Sequence, residues 1–194
     1  MLMQKFLEVL SQSLNSTDMK DIIRAYEFAK EKHKGQTRIG GGDYINHPVR
    51  VVITAFYYAK LNEPMLIKAL VIVSLLHDTV EDTDASFAEV SNLFGEEIAE
   101  AVKALSHEDE EEPDEIYLAR IKAGGKIAIL TKRFDKLDNI KSLVGTSKEF
   151  RESKITENKQ ALPIWEVMDP EGAEFIKHAL MEVQNGNSSS EPGS

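Results

Sequence analysis

Apolar residues recur at helical spacing along nearly the whole chain. In residues 18–33, DMKDIIRAYEFAKEKH, the positions Ile22, Ile23, Tyr26 and Ala29 or Lys30 share one face, and Gly35 follows as a stop. RIGGGDYIN at 38–46 reads as a glycine-rich turn leading to Asn46, the expected N-cap of a helix through about Leu61. Asn62 and Pro64 open another helix, and segment 64–78 is apolar on nearly every side, which predicts a central, buried position. Ser86 and Glu89 have capping-box spacing for a short helix ending before Gly95, and EEIAEAVKALSH continues as a further helix. The acidic run at 108–115 reads as a solvated loop. Helical pattern resumes near Ile116, breaks at Gly124-Gly125 and runs again from Lys126 to about Val144. Segment 145–160 is too polar to assign. A last helix is expected over roughly 171–184, before NGNSSSEPGS, whose composition is that of a disordered tail. These elements predict one all-α domain over 1–184 and a disordered tail over 185–194.

Composition narrows the class. With 194 residues, 42% hydrophobic and 29% charged, the chain can bury a proper core and matches an ordinary globular protein. The longest apolar run, Met65 to Leu76, is interrupted by Lys68 and falls short of the ~18 residues a membrane helix needs. Lys5 and Glu8 break the apolar N-terminus, which does not read as a secretory signal, and a cytoplasmic setting is the default expectation. There is no cysteine, so any metal here takes histidine and carboxylate ligands. A net charge of −10 argues against nucleic acid or an anionic membrane as partner. Positive charge nevertheless gathers in KEKHKGQTR at 30–38 and KRFDK at 132–136, which are two solvated helix ends or, together, a site for a small polyanion. Oligomeric state is not legible in the pattern, and a homo-oligomer stays open.

One stretch breaks the amphipathic logic. LLHDTVEDTD at 75–84 ends the most apolar segment in a cluster of ionisable groups: His77, Asp78, Glu81 and Asp82. Burying an unpartnered carboxylate costs several kcal/mol. A metal ion compensates that cost, and so does water if the segment ends at the surface. Continued helix places His77 with Glu81 and Asp78 with Asp82 on shared faces. Of the other four histidines, His33 suits a helix C-terminus as a cation, while His107 and His178 read as surface residues. His47, in DYINHPVRVV, reads from position alone as a buried structural histidine before it reads as a ligand. Further on, Ile127, Leu130, Phe134, Leu137 and Ile140 form an apolar stripe bordered by Asp135, Asn139 and Ser142, with Lys132 three residues before. Such a line is ordinarily just an amphipathic boundary.

Taken in order, GQTR…GDYINHP, LLHDTVEDT, FGEEIAEAV and KRFDKLDN resemble the HD hydrolase domain of the RelA/SpoT proteins, and in particular the small stand-alone alarmone hydrolases. The resemblance covers about residues 20–145. It implies an HD-domain helical bundle holding one divalent metal, usually Mn²⁺, through His47, His77, Asp78 and Asp135. It implies a Glu-Asp pair for hydrolysis at Glu81 and Asp82. It implies substrate contacts from Arg38 against a guanine base, from Tyr44, and from Asn139 and Ser142, with Lys132 among the cations that neutralise phosphate. The implied reaction removes the 3′-pyrophosphate of guanosine tetra- or pentaphosphate, giving GDP or GTP and pyrophosphate. Two alternatives remain beside it: an HD-type phosphohydrolase of another phosphorylated nucleotide, and a non-catalytic nucleotide-sensing HD module. The chain departs from the family pattern at Phe134, where alanine is usual and a bulkier ring is expected to reshape the pocket floor, and at Lys136, where arginine is usual. Beyond residue 145 no family signature is visible.

Overall fold

The computed structural model describes residues 2–38, 41–107 and 112–185. Its helices are α1 (Leu2–Leu10), α2 (Ser16–Lys32), α3 (Asn46–Ala59), α4 (Pro64–Leu76), α5 (Thr79–Asp82), α6 (Phe87–Phe94), α7 (Glu96–Leu105), α8 (Asp114–Ala123), α9 (Gly125–Ser142), α10 (Lys148–Met168) and α11 (Pro170–Gln184), with a 3₁₀ turn at Leu143–Gly145. No strand occurs among the described residues; a single bridge between Thr37 and Asp43 closes the loop before α3. The all-α expectation holds. Residues 108–111 of the acidic run and 186–194 of the C-terminal stretch, expected as solvated loop and disordered tail, lie outside the described residues.

α4 is the central element. It packs against α2, α3, α7 and α9, which leaves only its first turn open to water and explains why the rest of its sequence lacks a polar side. α9 lies across α3 and α4 and turns Leu130, Phe134, Leu137 and Ile140 into the core. Chain-end chemistry fixes several boundaries. The Asn15 carbonyl oxygen accepts from the amides of Thr17 and Asp18, and Ser86 and Glu89 make both bonds of a capping box. Asn46, expected as a cap, is instead the first helical residue; Ile45 precedes it and makes no side-chain cap bond. The Gly124-Gly125 break is real: Gly125 has φ of +83°, a conformation that favours glycine.

The segment that resisted assignment, 145–160, belongs mostly to α10. Ser147 caps it, accepting from the Phe150 amide at 3.2 Å. Its buried stripe, Ile155, Ala161, Trp165 and Met168, is sparse and interrupted by charge, so its period is faint in sequence. α10 and α11 form a hairpin docked on α9. At its corner the buried Arg133 guanidinium donates to Asp169 at 2.6 and 2.7 Å and to Glu171 at 2.9 Å. Gly172 is required there, since a Cβ would come within 2.1 Å of the Asp169 carboxylate. Phe134 packs toward this hairpin, with its ring 6.3 Å from both Tyr58 and Phe175. It is therefore core filling beneath α11, not the reshaped pocket floor expected of it.

Candidate metal centre and its cavity

Three elements converge at the centre of the fold. α3 contributes His47 from its first turn, the end of α4 contributes His77 and the adjoining Asp78, and mid-α9 contributes Asp135. His47 Nε2 lies 3.2 Å from Asp135 Oδ1 and 3.5 Å from Asp78 Oδ2. His77 Nε2 lies 3.1 Å from Asp78 Oδ1 and 3.6 Å from Asp135 Oδ1. The opposite ring nitrogens are both engaged. His77 Nδ1 donates to the Ser74 carbonyl at 2.8 Å, and His47 Nδ1 meets Asp138 Oδ2 at 2.7 Å. Asp138 is itself held by Arg50, at 2.8 and 2.9 Å. A carbonyl only accepts, so the Nδ1 of His77 carries a proton, and in the neutral ring its Nε2 offers the lone pair.

Both Nε2 atoms are buried without a hydrogen-bond partner. One donor atom from each of His47, His77 and Asp78 falls within a 4.8 Å span. Two imidazole nitrogens facing inward beside carboxylates, with the far side of each ring tied to an oxygen acceptor, is the arrangement that presents histidine to a divalent cation. The residues fit a metal ion. Position alone favoured a structural role for His47; its orphaned Nε2, facing Asp78 and Asp135, meets the geometric requirement of a ligand.

The histidines and carboxylates of the cluster shift one another's pKa values. Burial pulls the His47 pKa down, but Asp135, Asp138 and Asp78 outweigh it and leave it at about 9. Burial likewise opposes protonation of His77, and Asp78 and Asp135 hold it well above the ordinary range. Burial would raise both carboxylates; His77 and His47 hold Asp78 well below the usual range, and Lys132 with the same histidines does so for Asp135.

The Glu-Asp pair sits one turn further on. Continuous helix past His77 is not what occurs: α4 ends at Leu76, and α5 restarts with Asp82 N bonded to Asp78 O at 2.9 Å. The break turns the two acids apart. The Tyr44 hydroxyl lies 2.7 Å from Asp78 Oδ2 and 2.8 Å from Asp82 Oδ2, linking that aspartate to the cluster. Glu81 instead accepts from the His107 amide at 3.1 Å. Loss of water around its carboxyl raises the Glu81 pKa, against the opposing pull of that amide and of Lys132. Behind Tyr44, the His33 ring stacks at 4.5 Å, and Gln36 joins His33 Nδ1 to the Asp82 carbonyl at 2.8 and 2.7 Å. His33 was expected as a helix-end cation; it is 3% exposed, and burial pushes its pKa down. His178 is a surface residue, as expected, with 72% of its side chain exposed.

Beside the cluster opens a cavity of about 430 Å³. Arg38, Tyr44, Lys132, Asp135, Asn139 and Ser142 all line it. Arg38 donates to the Asn139 carbonyl oxygen, whose amide donates to Asp135 at 2.7 Å. Lys132 pairs with Asp135 at 3.0 Å, and the Ser142 hydroxyl donates to the Asp138 carbonyl at 2.7 Å. The cavity also takes in Lys136, noted from the sequence as a departure from the family pattern, and Phe150, Lys154 and Asn158, which the sequence did not single out. Asp138 and Arg50 went unnoticed as well. Asp138 stands three residues after Asp135, on the next turn, and that spacing was the available signal.

Comparison with known proteins accords with this geometry. Residues 25–113 match the HD domain family. That segment of the chain, which holds His47, His77 and Asp78, is similar to HD domains. The RelA/SpoT resemblance also stands: the guanosine-3′,5′-bis(diphosphate) 3′-pyrophosphohydrolase of Aquifex aeolicus is 39% identical over 129 residues, 63% of this chain and 18% of its own length. That of Spiroplasma citri is 37% identical over 193 residues, 92% of this chain and 25% of its own. The chain thus spans between 18% and 25% of these relatives. A solved structure, described as a metazoan ortholog of SpoT that hydrolyses ppGpp, superposes with a TM-score of 0.70 at 24% identity, covering 84% of this chain and 94% of that one; it shares the fold. The HD dipeptide itself is His77-Asp78, and Asp135 lies beyond the matched segment. Among the described residues no helix is long and apolar enough to cross a membrane.

Proposed function

We propose that this HD domain is a manganese-dependent hydrolase that removes the 3′-pyrophosphate of guanosine tetra- or pentaphosphate, releasing GDP or GTP and pyrophosphate in the cytoplasm. One observation carries the reading: a buried cluster of two imidazole nitrogens without hydrogen-bond partners and two carboxylates reaches, through Asp135, a cavity whose wall bears Arg38, Lys132, Lys136 and Lys154. An anionic ligand is drawn to that wall although the protein is acidic overall. The kinship with named 3′-pyrophosphohydrolases supports the choice of substrate.

His47, His77, Asp78 and Asp135 would hold the ion. Mixed nitrogen and oxygen donors suit Mn²⁺ better than Mg²⁺. The ion supplies Lewis-acid polarisation of a phosphoryl oxygen and a water of lowered pKa. Asp138, anchored by Arg50, keeps His47 in the tautomer that offers Nε2. Asp82, joined to Asp78 through Tyr44, orients the attacking water. Glu81, with its raised pKa, holds a proton for the departing oxygen. Lys132 balances charge on the reacting phosphates. Arg38, positioned by Asn139, lies against the base, and Ser142 borders the same end of the cavity.

The test is a manganese-supplemented turnover assay with guanosine tetraphosphate, following GDP and pyrophosphate, with Asp78→Ala alongside. Pyrophosphate release by the wild type, abolished by chelation and in the variant, is the expected result. A protein that binds manganese yet releases none discards the substrate. One that binds no manganese discards the reading altogether.

A further inference from the structure

Asp82 ends α5, a helix of four residues, and lies at the surface. So short a helix has little stability of its own, and its last carbonyl finds no partner within it. Whatever holds the Asp82 carboxylate beside the cluster must therefore come from outside α5. The loop between α2 and α3 supplies it, through a closed circuit. The Gln36 side chain donates to the Asp82 carbonyl at 2.7 Å. The Gln36 carbonyl accepts from the Tyr44 amide at 3.0 Å. The Tyr44 hydroxyl lies 2.8 Å from Asp82 Oδ2, which brings the circuit back to the same residue. Asp82 is thus gripped at its backbone and at its carboxylate by one loop. His33, at the C-terminal end of α2, steadies both arms. A carbonyl only accepts, so the Gln36 amide nitrogen faces Asp82 and its oxygen faces His33, whose Nδ1 donates to it at 2.8 Å. The same ring stacks on Tyr44, with centroids 4.5 Å apart and planes 18° from parallel. Its Nε2 has no hydrogen-bond partner among the described residues, so the one hydrogen bond of this buried ring is spent on Gln36.

We propose that Gln36, aligned by His33, is a positioning residue that keeps the Asp82 carboxylate where it orients the attacking water. The inference rests on the hydrolase reading, in which Asp82 has that task. Neither Gln36 nor His33 lines the cavity beside the cluster. Loss of either should therefore slow the chemical step without weakening substrate binding, because a carboxylate displaced by a fraction of an ångström no longer meets the water. A neighbouring tie gives the contrast. Lys32 pairs with Asp84 at 3.0 Å and with Glu89 at 3.3 Å, just beyond α5, and forms no hydrogen bond or ion pair with Asp82 or Tyr44. It fastens the same two segments together without gripping Asp82.

The experiment compares the wild type with Gln36→Met, His33→Asn, His33→Leu and Lys32→Met, each in the full chain with manganese. Two readings are taken: steady-state hydrolysis of guanosine tetraphosphate, and hydrogen exchange at the Asp82 amide, which bonds the Asp78 carbonyl at 2.9 Å. Gln36 is half-buried in a loop, so its variant leaves the core intact. Gln36→Met is expected to lower kcat about ten- to a hundredfold, with KM and manganese affinity unchanged. The same variant should speed exchange at Asp82 about three- to tenfold. His33→Leu should match it in both readings. His33→Asn keeps an amide donor for Gln36 and should recover most of what His33→Leu loses, while Lys32→Met should match the wild type. Unchanged kcat or unchanged exchange in Gln36→Met overturns the inference. So does an equal loss in Lys32→Met, which would reflect general loosening, or a His33→Asn as impaired as His33→Leu. Exchange needs no turnover. If the wild type hydrolyses nothing, the substrate reading falls by itself, and the exchange comparison still decides whether Gln36 holds Asp82.

Discussion

The metal cluster and the α10 wall face each other across one cavity and are built on opposite principles. In the cluster, the outward nitrogen of each imidazole is fixed by a partner, Asp138 or the Ser74 carbonyl, so that only the inward nitrogens are free. Along the wall, long flexible side chains line a helix that packs on α8 and α11 through Ile155, Ala161, Trp165 and Met168, with a buried ion-pair corner, Arg133 with Asp169 and Glu171, at its far end. The first region is pre-organised at the atom; the second is positioned as a whole element and adaptable at its tips. Chemistry needs the former, because a ligand displaced by an ångström no longer meets the metal. Recognition of a charged ligand tolerates the latter, because an ammonium on a long stem finds phosphate over a range of positions.

That contrast can be broken from the wall side first. Arg133→Met leaves Asp169 buried and unpaired and is expected to cost about 3–5 kcal/mol in urea unfolding. Replacing Asp169 by leucine in the same background should recover most of the loss, since a buried ion pair and an apolar pair of similar volume are close in stability. If Arg133→Met is neutral, the hairpin is not held at that corner. From the cluster side, Asp138→Asn keeps the shape but weakens the hold on His47, and manganese affinity measured by calorimetry should fall about 10–100-fold with little change in unfolding.

A smaller effect distinguishes the cluster by pH. His47 has its folded pKa raised to about 9, against an ordinary 6.5. A raised pKa means that the protonated ring contributes stability fully below pH ~6.5, and that this contribution is lost as pH rises toward about 9. Protein stripped of metal should therefore show a falling Tm across that window. Manganese, which needs the ring neutral, should bind better toward the top of it and flatten the slope. An unchanged slope with manganese would separate His47 from the metal. The smallest effect is expected at Ser142: its hydroxyl donates to a backbone carbonyl, so Ser142→Ala should cost about 0.5–1.5 kcal/mol in stability and raise KM only modestly.

Legibility followed burial and spacing. α4 could be read as the central helix because every face of it is apolar, and the capping box at Ser86 fixed the start of α6 through local bonds alone. Asp78 and His77 stood out because charge at the end of so apolar a segment requires compensation. His47 and Asp135 did not declare themselves by position; the ordered motifs singled them out, and the fold then brought them within 3.2 Å of each other. α10 was illegible for a physical reason: its buried positions are few, Pro163 interrupts its amides, and Lys154, Glu157 and Asn158 face a cavity.

By itself the sequence determined the helical class, the central helix and the charged end of that helix at His77 and Asp78, because periodicity, caps and the cost of buried charge act over a few residues, while His47 and Asp135 were named only by the family resemblance. Only the tertiary structure decided that α4 stops at Leu76 and sends Glu81 and Asp82 in different directions. It alone made Asp138 and Arg50 the support for His47, and brought Phe150, Lys154 and Asn158 of α10 into one cavity with Lys132 and Asp135 of α9. Those outcomes depend on which side chains meet across elements up to 91 residues apart, and no local rule of spacing carries that information.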